Sequence, residues 1–285
     1  MALGRDSVQY KTPDQVRAMR AAGLVVGRTL DLLRRTATAG MSTAELDAVA
    51  EESIRSTGAV PSFIGVPNPG YPSFPSSLCI SVNDEVVHGI PGERVLRPGD
   101  VVSIDCGAVL DGWHGDAAIS LVVDPDVQQD PADVALLQVT EESMWRGIAA
   151  LGVGRRLHEV GAAVEDHVLA RSPAEHPYGI VEDYVGHGIG TEMHMAPQVP
   201  NYRVRDKGLK VRAGLAVAIE PMVTRGAPDT QVRPDGWTVV TADGSRAAHF
   251  EHTVAVTADG VWVLTALDGG QAELTALGAA FAPLD

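Results

Sequence analysis

The sequence contains little cysteine and comparatively little positive charge. Two of its 285 residues are cysteines, Cys79 and Cys106, which is too few for a disulfide framework or a site built from several thiolates. We therefore expect a reducing compartment. Lys and Arg number 22 against 37 Asp and Glu, so the formal net charge is −15. Because phosphate contacts need clustered cations, this balance argues against a general nucleic-acid binder and against DNA as a partner.

Long apolar runs are also missing. The first residues, MALGRDSVQYKTPDQ, lack the apolar core of a signal peptide, and no stretch of the sequence approaches the roughly 18 apolar residues of a membrane span. We expect a cytoplasmic protein without a membrane partner. At 45 % hydrophobic and 21 % charged residues the composition is typical of a globular chain. Its length is sufficient to bury a core without disulfides.

The predicted order of elements is helix pair, strands, helix pair, strands. Thr12, Pro13 and Gln15 form a capping-box pattern that predicts a helix over about 13–37. Ser42 to Glu45 repeats the capping pattern for a second helix. Residues 60–78 contain five prolines and two glycines, which predicts an irregular loop. Further strands are predicted over 79–123 and 180–263, and further helices over about 131–150 and 156–170.

An internal repeat accompanies this order. Arg97–Asp105 and Arg212–Glu220 align without a gap as R-x-G-x-x-V-x-I-[D/E], and Asp116–Leu121 aligns more loosely with Glu251–Val256. Either match alone could arise by chance between short apolar strands, but both together, after similar helix pairs, predict a duplicated α+β unit. We expect one pseudo-twofold domain, a short leader and a tail. The expected ranges are 1–12 for the leader, 13–265 for the domain with halves of about 13–125 and 131–258, and 266–285 for the tail.

Four acids occupy one kind of position on these strands. Side chains alternate between the two faces of a strand, and each of these acids shares a face with small residues while the opposite face is apolar. The four are Asp105, Asp116, Glu220 and Glu251. Buried carboxylates lose solvation and repel one another unless cations lie among them. Lys and Arg are absent from these segments, and a pair of divalent metal ions would satisfy the set. Exposed acids at strand ends are the alternative interpretation.

Three histidines are candidates for the same site. His187 lies within Gly186–Gly190, where glycines permit close backbone approach and leave the ring unobstructed. His194 follows seven residues later, and His88 precedes the first repeated strand. Because a single histidine is more often an ordinary core or surface residue, others are interpreted in that way. These are His158, His167 and His176.

Seven segments occur together in one order. They are Ser81–Pro91, Ile104–Asp105, Gly112–Asp116, Gly186–Gly190, Ile219–Met222, Asp235–Thr238 and Phe250–Thr253. In these segments the chain resembles the type I methionine aminopeptidases of the short bacterial form, which have the duplicated pita-bread fold. The resemblance extends from about residue 13 to about residue 265. It implies an α+β metallopeptidase that hydrolyses the first peptide bond, removes the N-terminal methionine and prefers a small second residue.

The resemblance also implies the metal ligands. They are Asp105, Asp116, His187, Glu220 and Glu251. Asp105 would bind one ion and His187 with Glu220 the other, while the two remaining acids bridge. An oxygen-rich set with one imidazole suits Mn²⁺, Fe²⁺ or Co²⁺, and Zn²⁺ remains open. Glu220 is implied to take up the proton of the attacking water as well.

Catalytic and pocket residues are implied in the same way. His194 would stabilise the oxyanion, and His88 would contact the region of the scissile bond. A methionine pocket is implied at Tyr71, Phe74, Cys79, His88, Met193, His194 and Trp237. Sulfur and aromatic side chains suit a thioether, although Tyr71, Phe74 and Met193 could also be ordinary core. Residues 64–75 depart from the family by being longer and rich in proline.

Two other functions stay open at this stage. A prolidase or Xaa-Pro aminopeptidase would share the fold and ligands, but such relatives usually carry an additional N-terminal domain, for which 12 residues leave no room. A metal-free pita-bread binding module would be expected to have lost ligands, whereas all five are present. The expected substrates are peptides and nascent chains that begin with methionine. We expect a monomer that meets the ribosome at most transiently.

Overall fold

Two pairs of α-helices pack against an antiparallel sheet in the computed structural model, which describes residues 8–284. The helices are α1 Pro13–Thr36, α2 Thr43–Ser56, α3 Pro131–Ala150, α4 Glu159–Arg171 and α5 Gln271–Ala276. The strands are β1 Val60–Pro61, β2 Leu78–Val82, β3 Glu85–Val87, β4 Val101–Leu110, β5 Trp113–Val122, β6 Gly179–Ile180, β7 Gly186–Gly188, β8 Met195–Val199, β9 Ala216–Ile219, β10 Met222–Thr224, β11 Thr230–Val232, β12 Val239–Thr241, β13 Ala247–His249, β14 Glu251–Val256 and β15 Val261–Val263. Residues 1–7 of the expected leader lie outside the described residues.

The first two helices begin at the predicted capping boxes. The Thr12 hydroxyl accepts the Gln15 backbone N–H at 3.4 Å, and the Gln15 side chain accepts the Thr12 N–H at 2.9 Å. Ser42 and Glu45 exchange the same two bonds, at 3.2 and 2.7 Å. Each box satisfies two backbone donors that have no partner within the helix, so the sequence defines where both helices start.

The fourth helix begins three residues later than the predicted position of about 156. The backbone N–H of Leu157 donates to the Leu209 carbonyl at 3.0 Å, and Arg156 forms a β-bridge with Lys210. Residues 156–158 are therefore bound to the chain that precedes β9 before the helix starts at Glu159. This long-range pairing has no signal in the local sequence.

The principal sheet confirms the internal repeat. In the described part of the chain it contains nine strands, in the order β1-β4-β5-β14-β9-β7-β8, with β2 added to β4 and β15 added to β14. This order is nearly symmetrical about the contact between β5 and β14, because β4 flanks β5 as β9 flanks β14. The segments that align in sequence therefore occupy equivalent places in the two halves. The fold is the predicted duplicated α+β arrangement.

Strand register brings the acids together at this centre. Asp105 of β4 and Glu251 of β14 both lie opposite Ala118 of β5, one on each side. Asp116 lies opposite Gly107, two residues along β5 from Ala118. On the other side of β14, Ile219 lies opposite His252. Because these two strands are antiparallel, the next residue, Glu220, comes next to Glu251. Small residues at the opposing positions leave space for the carboxylates.

The other face of the sheet is apolar, as the alternation predicts. One hydrophobic cluster joins strand residues of both halves to helix residues of α1 and α3, namely Ile104, Ile119, Val217, Val254, Leu30 and Ile148. On the acid-bearing face, Ser103 and Ser120 are buried with their hydroxyl oxygens 2.7 Å apart. The helices thus cover the apolar face and leave the acids on the opposite side.

Two small sheets complete the surroundings of the acids. Their strand orders are β13-β10-β6 and β11-β12-β3. β13 leads into β14 through a single residue, β3 leads into His88, and the turn between β11 and β12 carries Trp237. Loops and short strands from distant parts of the chain therefore meet opposite the centre of the main sheet.

The segment after β15 packs onto the main body. Leu274 of α5 is fully buried in the main hydrophobic cluster, and Val261 forms a parallel bridge with Phe281. Among the helices of residues 8–284, none is both long enough and apolar enough to cross a membrane.

Close packing of α1 on the sheet generates a stability prediction. A Cβ on Gly23 would lie 2.3 Å from the Leu264 carbonyl oxygen. We expect Gly23→Ala to lower the free energy of unfolding by about 1–3 kcal/mol, because overpacking outweighs the better helix propensity of alanine. Thermal unfolding measures the change. The control is Gly152→Ala, whose Cβ would approach nothing closer than Arg155 Cδ at 3.8 Å among the described residues. A Gly23→Ala protein as stable as this control would contradict the expectation.

Candidate metal centre

A cavity of about 950 Å³ opens onto the acid-bearing face of the sheet. The predicted polar residues line it, namely His88, Asp105, Asp116, His187, His194, Glu220 and Glu251. Predicted pocket residues Phe74, Cys79, Met193 and Trp237 line it as well. Tyr71 does not belong to this lining. The structure thus brings together every sequence-predicted site residue except Tyr71.

Different strands position the five predicted ligands. Ligand atoms of Asp116, His187 and Glu251 all lie within 4.8 Å of one another. His187 is central in β7, and its Nε2 lies 3.5 Å from a carboxylate oxygen of Glu220, the residue after β9. The Nδ1 of His187 is 3.0 Å from the Gly188 carbonyl oxygen. Donation at Nδ1 leaves Nε2 with a lone pair directed at the carboxylates, as in metal-binding histidines.

Several buried polar atoms of this cluster have no hydrogen-bond partner within residues 8–284. They are Asp105 Oδ1, Asp116 Oδ1, Glu251 Oε1 and His249 Nε2. A buried polar atom without a partner is costly, and a buried carboxylate still more so. Oxygen atoms with one or two imidazole nitrogens are donors that divalent metal ions prefer. The residues present therefore fit a metal centre.

Burial and mutual repulsion raise the pKa values of these acids. Burial raises the pKa of Asp105 to about 7. Burial, with the neighbouring carboxylates as a second cause, holds the pKa values of Asp116, Glu220 and Glu251 well above their usual range. Divalent cations would reverse these shifts, because they favour the ionised form. The acids are thus placed to ionise together only when cations accompany them.

Burial in the cavity disfavours the charged form of the three predicted histidines. Burial lowers the pKa of His187 to about 3 and of His88 to about 4, and it also lowers the pKa of His194. The rings of His187 and His194 are edge to face with centroids 4.5 Å apart. His88 follows β3 with a φ of +59° and places its ring 5.5 Å from that of Tyr184. A positive φ is uncommon for residues other than glycine, and such backbone geometry clusters at functional sites.

An apolar slot adjoins the acids. Phe74 contacts Trp237 edge to face at 5.2 Å and Phe63 at 6.4 Å. Cys79 belongs to the same cluster, with Met193 packed against it. Burial raises the pKa of the Cys79 thiol well above its usual value, so this cysteine is an apolar wall residue and no nucleophile.

The proline-rich loop is bound to the turn that carries Trp237. The Asn68 side-chain amide donates to the Gly236 carbonyl at 2.8 Å, and the Trp237 indole N–H donates to the Pro72 carbonyl at 2.9 Å. The Tyr71 ring covers Gly236 so closely that a Cβ there would lie 2.2 Å from it. Tyr71 is 50 % exposed. It therefore lies on the outer side of the slot, where it holds the loop against the turn.

The structure adds cavity residues that the sequence interpretation missed. Phe63, Tyr184 and His249 line the cavity. His249 Nε2 lies 3.9 Å from Glu220 Oε2 and 4.0 Å from Glu251 Oε2. A signal for this histidine existed, because strand alternation extended backwards from Glu251 places residue 249 on the same face. Phe63 and Tyr184 lie outside regular strands, where no periodicity could identify them.

The raised carboxyl pKa values generate a prediction for the metal-free protein. A folded-state pKa above the unfolded value stabilises the fold at low pH, and this contribution is lost as pH rises through the folded value. Asp105, whose pKa burial raises from 3.8 to about 7, loses this contribution progressively between about pH 5.5 and 8. We therefore expect Asp105→Asn to gain stability relative to the wild type over this interval. The relief of repulsion on Asp116, Glu220 and Glu251 acts in the same direction. Urea unfolding of chelator-treated proteins measures the difference.

Comparing Asp105→Asn with the wild type at each pH cancels the contribution of the histidines to stability, because both proteins contain the same histidines. The matched control is Asp126→Asn at an exposed turn, for which we expect the same difference from the wild type at both pH values. A difference between Asp105→Asn and the wild type that does not change with pH would contradict the assignment of a strongly raised carboxyl pKa.

Comparison with known proteins agrees with this geometry. The profile of metallopeptidase family M24 matches residues 17–258. The chain is 51 % identical over 264 residues to methionine aminopeptidase 1 of Mycobacterium tuberculosis, covering 92 % of this chain and 96 % of the relative. It is 44 % identical over 255 residues to methionine aminopeptidase 1 of Bacillus subtilis, covering 90 % and 98 %.

Solved structures extend the comparison. The crystal structure of methionine aminopeptidase from Rickettsia prowazekii superposes with a TM-score of 0.84 at 35 % identity, covering 91 % of this chain and 100 % of that chain. A prolidase from Pyrococcus furiosus has a TM-score of 0.68 at 19 % identity, covering 90 % and 65 %, and this likeness concerns the fold alone. The buried acid cluster, the pita-bread fold and the extent of these matches lead to one conclusion: the chain belongs to metallopeptidase family M24 and, within it, to the methionine aminopeptidases.

Proposed function

We propose that this chain removes the N-terminal methionine of peptides and nascent proteins by metal-dependent hydrolysis of the first peptide bond, with a preference for a small second residue. The observation that carries the proposal is the position of the buried acid cluster beside an apolar slot in one cavity. A side chain in the slot would bring the adjacent peptide bond to the acids. The relatives named methionine aminopeptidase support this assignment.

Two divalent cations are proposed for the centre, with Mn²⁺, Fe²⁺, Co²⁺ and Zn²⁺ as the candidates. Asp105 would hold one and His187 with Glu220 the other, while Asp116 and Glu251 would be shared. When bound, such cations polarise a carbonyl group and lower the pKa of a bound water towards neutrality. The atoms of these residues that lack partners in the described chain support the ligand assignment.

The remaining chemistry is assigned to side chains of the chain itself. Glu220 is proposed to accept the proton of the attacking water and to pass it to the leaving amine, a general acid and base role. His194 would donate a hydrogen bond to the carbonyl oxygen as its negative charge develops. His88 would contact the scissile amide. Both imidazoles have lowered pKa values, so they are proposed to act as neutral donors.

Substrate selection is assigned to the apolar slot. Phe74, Cys79, Met193 and Trp237 would surround the methionine side chain, whose sulfur gains from aromatic contacts. Tyr71 is 50 % exposed on the outer side of the Trp237 turn. Its proposed contact is therefore with residues that follow the methionine.

The whole chain is proposed to act as a cytoplasmic monomer with one catalytic domain over 13–265. The halves of about 13–125 and 131–258 would each supply two of the acids. Nascent chains are the proposed physiological substrates. The net charge of −15 argues against tight binding to the ribosome, because contacts with RNA phosphates require clustered cations, so the proposed contact is at most transient.

The proposal is tested by amino-acid release from two peptides, Met-Ala-Ser and Ala-Pro-Ser. Chelator-treated protein should release nothing, and added Mn²⁺ or Co²⁺ should restore release of methionine from the first peptide alone. Release only from the peptide with proline in second position would assign the chain to prolidase chemistry. No release with any of the four candidate metals would favour a binding module.

A second prediction concerns His88. We expect His88→Ala to lower kcat/KM for Met-Ala-Ser by about 10- to 100-fold, because it removes a hydrogen-bond donor that lines the cavity. Metal content, measured by atomic emission, should stay at the wild-type value. His176→Ala is the control, since His176 is exposed and lies outside the cavity. Unchanged kcat/KM with full metal content would remove His88 from the reaction.

A further inference from the structure

His249 is a buried imidazole placed between two of the proposed ligands. It is the last residue of β13 and only 2 % exposed. Its Nε2 lies 3.9 Å from Glu220 Oε2 and 4.0 Å from Glu251 Oε2. No hydrogen bond to this nitrogen occurs anywhere in residues 8–284. The five predicted metal ligands do not include His249, so the function of this imidazole is not yet explained.

The position of this ring is fixed through its backbone. The Ser120 hydroxyl accepts the backbone N–H of His249 at 2.9 Å and donates to the backbone carbonyl of the same residue at 2.8 Å. The hydroxyl of Ser103 lies 2.7 Å from that of Ser120, to which it donates because the Ser120 proton is already used. On its other side His249 pairs with Met222 of β10. Both principal strands of the first half thus hold His249 in place.

The distances fit shared coordination better than hydrogen bonding. Separations of 3.9 and 4.0 Å are too long for hydrogen bonds, whose N···O distances are about 2.7–3.2 Å. Ligand atoms about 2.0–2.2 Å from one cation lie about 3–4 Å apart. The separations of His249 Nε2 from Glu220 Oε2 and Glu251 Oε2 meet this condition. One ligand atom from each of the three residues also lies within 4.8 Å of the other two.

We propose that His249 is a sixth ligand residue of the metal centre, binding through Nε2 the cation that Glu220 and Glu251 also hold. The inference rests on the proposed metal centre, but not on the choice of substrate. An additional imidazole favours Co²⁺, Fe²⁺ and Zn²⁺ over Mn²⁺ and Mg²⁺, because nitrogen donors suit the later transition metals while carboxylate oxygen alone suits the harder ions. His249 therefore sets the metal preference of this chain.

The test compares metal binding by chelator-treated wild type, His249→Gln and His252→Gln. Titration calorimetry with Co²⁺ and with Mn²⁺ gives the affinities, and visible absorption reports the Co²⁺ coordination. We expect His249→Gln to weaken Co²⁺ binding by at least about 10-fold and Mn²⁺ binding by less than about 3-fold. The Co²⁺ absorption bands should shift.

His252→Gln is a matched control on the following strand, β14. His252 is a buried histidine whose Nδ1 bonds the Thr265 hydroxyl at 2.8 Å and whose ring packs on Trp145, away from the cavity lining. We expect wild-type Co²⁺ and Mn²⁺ affinities and an unchanged spectrum. An equal loss for both metals in both variants would indicate a general disturbance of the fold and would overturn the proposal.

A measurement on the wild-type protein covers the case in which His249→Gln does not fold. X-ray absorption of the protein loaded with one equivalent of Co²⁺ should show scattering from two imidazoles, His187 and His249. Scattering from a single imidazole would overturn the proposal, as would a His249→Gln protein with wild-type affinities and spectrum. Methionine release by the wild type is independent of these outcomes, so failure of the sixth ligand is distinguishable from failure of the proposed function.

Discussion

The repulsion among four buried carboxylates is the constraint on which the site depends. Asp105, Asp116, Glu220 and Glu251 converge on one cavity wall, and several of their oxygens find no partner in the described residues. Such a cluster costs stability unless protons or cations neutralise it. The extensive apolar core on the other face of the sheet offsets this loss of stability. The apolar packing that stabilises the fold thus lies on one side of the strands, and the acid cluster lies on the other.

Antiparallel pairing allows this separation. Ala118 lies between Asp105 and Glu251 in the sheet, so a single methyl group separates two of the acids, which come from different halves of the chain. Ser103 and Ser120 form the next layer and hold the backbone of β13. Small residues on this face therefore serve two purposes, since they leave room for the carboxylates and bring a second sheet close to them.

Strand alternation and capping patterns predicted much of this arrangement, because both depend on local sequence. They identified the four acids, the apolar faces and the start of both N-terminal helices. The proline-rich loop gave no such signal. Its residue Tyr71 was expected in the cavity but does not belong to the cavity lining. His249 was missed although alternation from Glu251 places it on the acid-bearing face, because a single histidine in a sequence is more often an ordinary core or surface residue. The start of α4 depended on pairing with Leu209, a long-range contact that no local pattern reports.

The near-symmetry of the sheet about β5 and β14 means that each half of the chain is incomplete alone. A chain of half this length would carry two acids and would expose the edge of β5 that β14 covers here. An unpaired edge readily accepts another strand, and identical chains most often associate about a twofold axis. Two copies joined along that edge would have completed the sheet and the acid cluster in one step. The present chain contains both halves of this arrangement in one polypeptide, with β14 in the place that the second copy would occupy.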